Sequence, residues 1–152
     1  MQVTLAHIGA KARTQDPFEA PTIDYLKRCV GVVHCDTQAF RSETAFFDWL
    51  RRKKGRTDPL VQLLDGNGRQ MSSEALAEWL GARRDEGTQH IVFAIGPADG
   101  WSDEARAEAK RRSGLISLGP MTLAHQLARL VIAEQIYRAC TILTGHPYHK
   151  GH

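Results

Sequence analysis

Cysteine is scarce in this chain, long apolar runs are missing, and no glycine-rich phosphate loop occurs; each shortage removes a class of protein. The three cysteines, Cys29, Cys35 and Cys140, are odd in number and match no zinc spacing, so reduced core thiols are expected rather than a disulfide framework or a structural metal. No apolar stretch approaches the ~20 residues of a membrane-spanning helix. The opening Met1-Gln2-Val3-Thr4-Leu5 carries neither a basic segment nor a cleavage site, and a cytoplasmic protein without a membrane partner is expected. Gly66-Asn67-Gly68 lacks the third glycine of a dinucleotide fingerprint, and Gly-x-x-x-x-Gly-Lys-Ser/Thr is found nowhere, which argues against a nucleoside-triphosphate site. Neither charge dominates: 20 Lys and Arg stand against 17 Asp and Glu. The net charge of +3 permits a polyanionic partner without demanding one.

What is present is a regular alternation. Strands are expected at residues 2–8, 30–35, 59–64, 90–95 and 114–118, each rich in Val, Ile or Leu. Helical stretches separate them. Pro17 or Pro21 suits a first helical turn, Ser42 and Ser72 or Ser73 are candidate N-caps, and Ser102, Asp103 and Glu104 open an alanine-rich segment with acids where a helix dipole favours them. Asp65-Gly66-Asn67-Gly68 is expected to turn after the third strand. The pattern predicts an α/β fold, a single domain over residues 1–152 on a largely parallel sheet. The helix carrying Phe46, Phe47, Trp49 and Leu50 finishes on Arg51, Arg52, Lys53 and Lys54, with Arg56 beyond. These cations either complement the helix macrodipole or contact phosphate.

The last helix, expected over residues 122–144, is apolar nearly all the way round, so both of its flanks should be buried, which one chain rarely achieves alone. Polar residues interrupt it. At about 100° per residue, His125 and Arg129 share one side while Glu134, Arg138 and Thr141 lie on roughly the opposite one. Polar groups set into a buried helix need a partner, a ligand or each other, which makes these residues candidates for function. In open parallel sheets ligands bind beyond the carboxyl ends of strands. Here those ends are the loops at Leu64-Asp65, Ile95-Gly96 and Leu118-Gly119. Their bare backbone suits a flat uncharged ring such as adenine, with Leu64, Leu118, Met121 and Leu123 as its apolar walls.

The sets Ile95-Gly96 with Gly100, Met121-Thr122-Leu123 with His125-Gln126 and Arg129, Glu134-Gln135-Ile136-Tyr137-Arg138-Ala139, and Tyr148-His149-Lys150 occur here in that order. Together they resemble the SPOUT-class ribosomal RNA large subunit methyltransferase H family, over nearly the whole chain. The resemblance implies a SPOUT-type parallel-sheet domain whose C-terminal segment is threaded into a trefoil knot, and an obligate homodimer whose contact would cover the second flank of the last helix. It also implies that S-adenosyl-L-methionine is the cofactor, held at Leu64, Gly96, Leu118, Gly119, Pro120, Met121, Thr122 and Leu123. The substrate implied is 23S rRNA, in the large subunit or the assembled ribosome, methylated at N3 of a pseudouridine; no DNA partner is expected. Four positions depart from the family pattern. Pro97 stands where a second glycine is common, removing a backbone N–H; Ala124 replaces a usual proline; and Gly119-Pro120 stiffens a loop of other small residues.

Methyl transfer to an imide nitrogen needs in-line positioning, exclusion of water and removal of the imide proton. The resemblance places Tyr148, His149 and Lys150 against the target nucleotide across the dimer, with His149 the first candidate proton acceptor and His125 the second. Arg129 and Arg138 are candidates for binding RNA phosphate or the cofactor carboxylate, or for structural pairing with acids such as Glu134; Lys150 and the Arg51, Arg52, Lys53, Lys54 run complete the RNA-binding candidates. A rival reading is a non-catalytic RNA-binding or ribosome-assembly protein on the same fold, for which Pro97 is the support. A metal site from His146, His149 and His152 is set aside, because Pro147 and Gly151 prevent a regular helix there.

Overall fold

Val3 and Leu5 face one way along the first strand, Thr4 and Ala6 the other, and all four are 0% exposed. A strand buried on both faces must lie inside a sheet covered by helices on both sides. The computed structural model, which describes residues 1–53, 55 and 57–151, shows that arrangement. Its elements are β1 (Gln2–Ile8), α1 (Glu19–Lys27), β2 (His34–Phe40), α2 (Glu43–Arg52), β3 (Leu60–Gln70), α3 (Ser73–Asp85), β4 (His90–Ile95), α4 (Asp103–Arg112), β5 (Gly114–Ser117) and α5 (His125–Thr144), followed by a short 3-10 helix, His149–Gly151. The strands pair in the order β2-β1-β4-β3-β5, and every pairing is parallel.

Two cores flank the sheet. On one face Leu5, Ile91, Phe93 and Ile116 meet Leu26 of α1, Leu76 and Leu80 of α3, and Ile132 and Ile136 of α5. On the other, Ala6, Val61, Leu63 and Val92 meet Phe46 and Leu50 of α2 and Ala105 and Ala109 of α4. The N-caps follow the local chemistry: Ser42, Ser72 and Ser102 each accept a hydrogen bond from the backbone N–H three residues on, a contact that typically contributes ~1 kcal/mol per helix. Among the described residues no helix is long and apolar enough to cross a membrane.

The second strand lies later than its apolar run indicates. Residues 29–33 form turns in which Val32 and Val33 donate to the Cys29 carbonyl, and pairing with β1 begins at His34 and ends at Phe40. As an edge strand, β2 is only half buried, so it tolerates Asp36, Thr37 and Gln38, and its pattern is muted. The turn expected at Asp65 to Gly68 is instead part of β3. There the pairing with β5 jumps, so that both Leu64 and Arg69 lie opposite Ile116. A Cβ on Gly68 would lie 2.7 Å from Ile116 backbone atoms; only glycine lets β3 curl this closely around β5. β5 stops at Ser117, one residue early, where the Ser117 hydroxyl accepts from the Gly119 N–H and so turns the chain. The last helix starts at His125 rather than Thr122, because Ala124 is extended at ψ 145° and residues 118–123 are loop.

Candidate active site

The middle of β3, at Leu64 to Asn67, and the carboxyl ends of β4 and β5 open into a cavity of about 550 Å³, within the range of sites that enclose a cofactor. All eight residues expected to hold a cofactor line it: Leu64, Gly96, Leu118, Gly119, Pro120, Met121, Thr122 and Leu123. His125 joins them from the first turn of α5. Met121, at the loop's turn, is 80% exposed, an apolar side chain that a ligand or a second chain would cover. The walls also include Asp65, Asn67, Trp101 and Arg106, which sequence reasoning did not select.

Trp101 organises this end of the sheet. Its indole is 4% exposed and its Nε1–H donates to the Leu64 carbonyl at 3.1 Å. A Cβ on Gly96 would sit 2.8 Å from the indole Cε2 and Nε1. The residue is therefore a glycine because the ring lies on it, a packing reason distinct from bare backbone for a ligand. Pro97 accepts a hydrogen bond from Gly100 N–H at 2.9 Å, closing the turn that delivers Trp101, and the missing N–H of Pro97 costs this turn nothing. Glu43, at the start of α2, accepts from the Ser102 backbone and hydroxyl at 2.8 and 2.6 Å, pinning the segment from the other side.

Asp65 supplies the cavity's buried charge. Its side chain is 5% exposed and pairs with Arg106 at 2.8 Å, while its other oxygen accepts from Asn67 N–H at 2.9 Å. Burial works to raise its pKa, but the Asn67 N–H and the Arg106 guanidinium outweigh it and hold the carboxyl below its usual value. The ring of His125 stands beside that of His7, at the end of β1, with centroids 5.3 Å apart and planes at 77°. Burial first, then the charge of Arg129, lowers the pKa of His125; the carbonyls of Ile8 and Gly96 oppose the shift.

Arg129 is 1% exposed. It forms an ion pair with Glu19 and donates to Gln126. Of the roles open to it, this geometry favours structural pairing, though with Glu19 of α1 rather than Glu134. Arg138 pairs with Glu134 at 2.6 Å, and the same carboxylate accepts from the Tyr148 hydroxyl at 2.9 Å. Burial, then hydrogen bonding with Tyr25 and Glu134, pushes the Tyr148 phenol up, so it stays protonated near neutrality. His149 lies between Arg138 Nη1, 3.1 Å from Nδ1, and Glu74 Oε1, 2.8 Å from Nε2. A guanidinium only donates, so Nδ1 must accept and the ring proton sits on Nε2, directed at Glu74. Both nitrogens are thus engaged, which leaves His149 no lone pair for an imide proton in this arrangement. Lys150 is exposed beside it.

Glu134, which anchors the tail, and His125, at the cavity wall, lie apart on α5. Glu134 follows His125 by nine positions, about 14 Å along a helix and on its opposite side. The basic run is remote as well. Trp49 contacts His90, the first residue of the central strand β4, at 5.8 Å, which sets this end of α2 at the amino-terminal end of the sheet, away from the cavity. Arg51 pairs with Asp48 and Glu108 at 3.1 and 3.8 Å, and Lys53 covers the Trp49 ring at 4.7 Å. Arg52 is exposed, and Lys54 falls outside the described residues, as do Arg56 and His152. The two buried thiols are unsuited to chemistry. The hydrogen bond to Cys29, then burial, raises the Cys140 pKa. For Cys29 the hydrogen bond with Cys140 works the other way but is outweighed by that with Cys35 and by burial, and its thiol is pushed up to about 12.

Parallel strands, a β3 curled around β5 and a cavity at that crossing define a class, and the chain belongs to it: residues 1–149 match the family described as "Predicted SPOUT methyltransferase". Within that class, proteins named "Ribosomal RNA large subunit methyltransferase H" are similar over most of their length. The one from Koribacter versatilis is 48% identical over 91% of this chain and 92% of its own. The one from Geotalea daltonii is 52% identical over 90% and 94%, and that from Deinococcus radiodurans 43% identical over 90% and 86%.

Proposed function

We propose that this protein methylates N3 of a pseudouridine in 23S rRNA of the large ribosomal subunit, with S-adenosyl-L-methionine as methyl donor, in the cytoplasm where ribosomes are made. The observation that carries the reading is the convergence of Leu64 of β3 and seven loop residues that follow β4 and β5 on one cavity, in a chain of the SPOUT methyltransferase family. The cavity fits the cofactor. Leu64, Leu118, Met121 and Leu123 offer apolar surface for the adenine ring, and the loop backbone around Gly96 and Gly119 offers hydrogen-bonding groups, while the buried Asp65 adds a fixed charge. When bound, S-adenosyl-L-methionine supplies a methyl group on a sulfonium centre. The protein's part is to hold the acceptor nitrogen in line, exclude water and receive its proton.

One chain does not complete such a site. Tyr148 and His149 are held by Glu134, Arg138 and Glu74, on the side of α5 away from His125. The flank of α5 bearing Leu127, Leu130, Val131 and Glu134 is only half buried. A homodimer packed through this flank covers it and brings one subunit's tail toward the other's cavity. Tyr148, His149 and Lys150 then contact the target nucleotide, and Arg138 orients them. Since His149 has both nitrogens engaged, the proton goes to His125 at the cavity wall.

The test is methyl transfer from radiolabelled S-adenosyl-L-methionine to free 23S rRNA, isolated large subunits and whole ribosomes, with base-resolved mass spectrometry of the product. One methyl group at a single pseudouridine N3 is expected. Calorimetric cofactor binding with no transfer to any of the three substrates would overturn the enzymatic reading in favour of a non-catalytic RNA-binding protein.

A further inference from the structure

Four buried side-chain nitrogens lack a hydrogen-bond partner among the described residues, and three of them, His7 Nδ1, His125 Nε2 and Arg129 Nε, lie in one cluster beside the cavity. Such orphans are uncommon in a folded interior and need a cause. His7 is 3% exposed. Its Nε2–H donates to the Ala10 carbonyl at 2.8 Å, which fixes its tautomer and leaves Nδ1 a lone pair with nothing to accept. The adjacent ring of His125 has a buried Nε2 equally without a partner. Centroids 5.3 Å apart, with planes near perpendicular, match the separation of two imidazoles joined by one N–H···N bond, and χ2 of histidine is a soft torsion.

We propose that His7 is a positioning residue for methyl transfer: its Nδ1 accepts from His125 Nε2–H, which leaves the Nδ1 lone pair of His125 to take the imide proton of the target base. In a histidine, the hydrogen bond made by one nitrogen decides the state of the other. The chain of contacts runs from the Ala10 carbonyl through His7 to His125, and the rigid end of β1 holds it in place. Charged neighbours serve the same purpose. Arg129 of α5 disfavours a resting positive charge on either ring, Glu19 of α1 offsets part of Arg129, and both histidines are lowered chiefly by burial. His125 is therefore uncharged and ready to accept. When the proton moves, the N–H bonding pair stays on the base nitrogen; the imidazolium formed finds the carbonyls of Ile8 and Gly96 nearby and then returns the proton to solvent.

This inference rests on the methyltransferase reading, and its test separates the two. His7→Phe keeps the aromatic packing but removes the acceptor, whereas His7→Asn places an amide oxygen near the position of Nδ1. The Phe variant should lose roughly 10- to 100-fold in kcat, with KM for cofactor and RNA changed less than about twofold, and the Asn variant should recover several-fold of that loss. Nitrogen-15 spectra of the unmodified protein should show His125 as the Nε2–H tautomer, and His7→Phe should abolish that preference. Wild-type kcat in His7→Phe, equal losses in both variants, or an Nδ1–H tautomer for His125 would each overturn the proposal. A protein that methylates nothing would refute the functional reading, while the nitrogen-15 tautomer would still decide the imidazole contact.

Discussion

Gly96→Ala isolates the one place where packing and cofactor binding make opposite claims on the same residue. The new Cβ would lie 2.8 Å from Cε2 and Nε1 of Trp101 and 3.0 Å from Cδ1. Carbon contacts settle at ~3.5–4.0 Å, so the overlap is roughly 0.5 to 1.2 Å against three atoms of one rigid ring. Trp101 has nowhere to go: it is 4% exposed, and Phe46 lies 5.9 Å away on the core side. Moving it breaks the Nε1–H bond to Leu64. Overpacking of this kind costs about 1–3 kcal/mol, and a stranded buried carbonyl about 1–3 more. For a domain of this size each kcal/mol lowers Tm by about 2–4 °C, so a fall of roughly 4 °C or more is expected in calorimetry. Trp101→Ala removes the atoms that collide. In that background Gly96→Ala should cost less than about 1 kcal/mol, giving a clear coupling in the double-mutant cycle. Equal costs in the two backgrounds would refute the packing argument. Loss of S-adenosyl-L-methionine binding at unchanged Tm would show instead that Gly96 serves the cofactor.

Two further outcomes follow from the geometry. If the site is shared between subunits, a chain with Tyr148 and His149 both changed to Ala and a chain with Leu123→Arg in its cavity should each be inactive, yet together regain about a quarter of the wild-type rate, because half of the dimers are mixed and each mixed dimer holds one intact site; no recovery on co-expression would place tail and cavity in the same chain. Asp65 has a lowered pKa in the folded state, so its carboxylate adds stability above the unfolded value, and that contribution is lost as pH falls through the folded one. Asp65→Asn should therefore lower Tm at neutral pH, with the gap to the wild type closing below about pH 4; a gap independent of pH would show that the charge contributes nothing.

Features written in a few adjacent residues were legible in the sequence. Ser42, Ser72 and Ser102 were recognisable as caps because capping spans only three residues, and the strand-end loops were recognisable because an alternating α/β pattern places them. What escaped notice depends on pairing over distance. The edge strand β2 has its register fixed by β1, so its weak pattern pointed to the apolar run before it. The Asp65 to Gly68 stretch has turn composition, yet β5, about fifty positions later, holds it as strand. Arg129 stands out as polar in a greasy helix, but its partner Glu19 is 110 positions away, and no local spacing announces it. Trp101 carried no signal at all, since its importance is the contact with Gly96 and Leu64. His7 sits in a strand where a buried imidazole passes for an ordinary core residue until its unpartnered nitrogen is seen beside that of His125.

The division of α5 links these observations. Its first turns carry His125 and Arg129, which with His7 and Glu19 form a buried polar cluster at the cavity wall; its middle carries Glu134 and Arg138, which grip the tail. A helix is rigid over this length, so the separation of about 14 Å between the two groups is not closed by side-chain motion. In the proposed dimer it is the cavity of the other chain that the tail reaches. On the proposed reading, that rigidity assigns the proton acceptor and the base-binding groups to different subunits of a dimer. In that dimer His125 would sit in a water-poor wall, held by His7, while Tyr148 and His149 of the other chain would stay accessible to RNA, so each end of α5 would serve a different site.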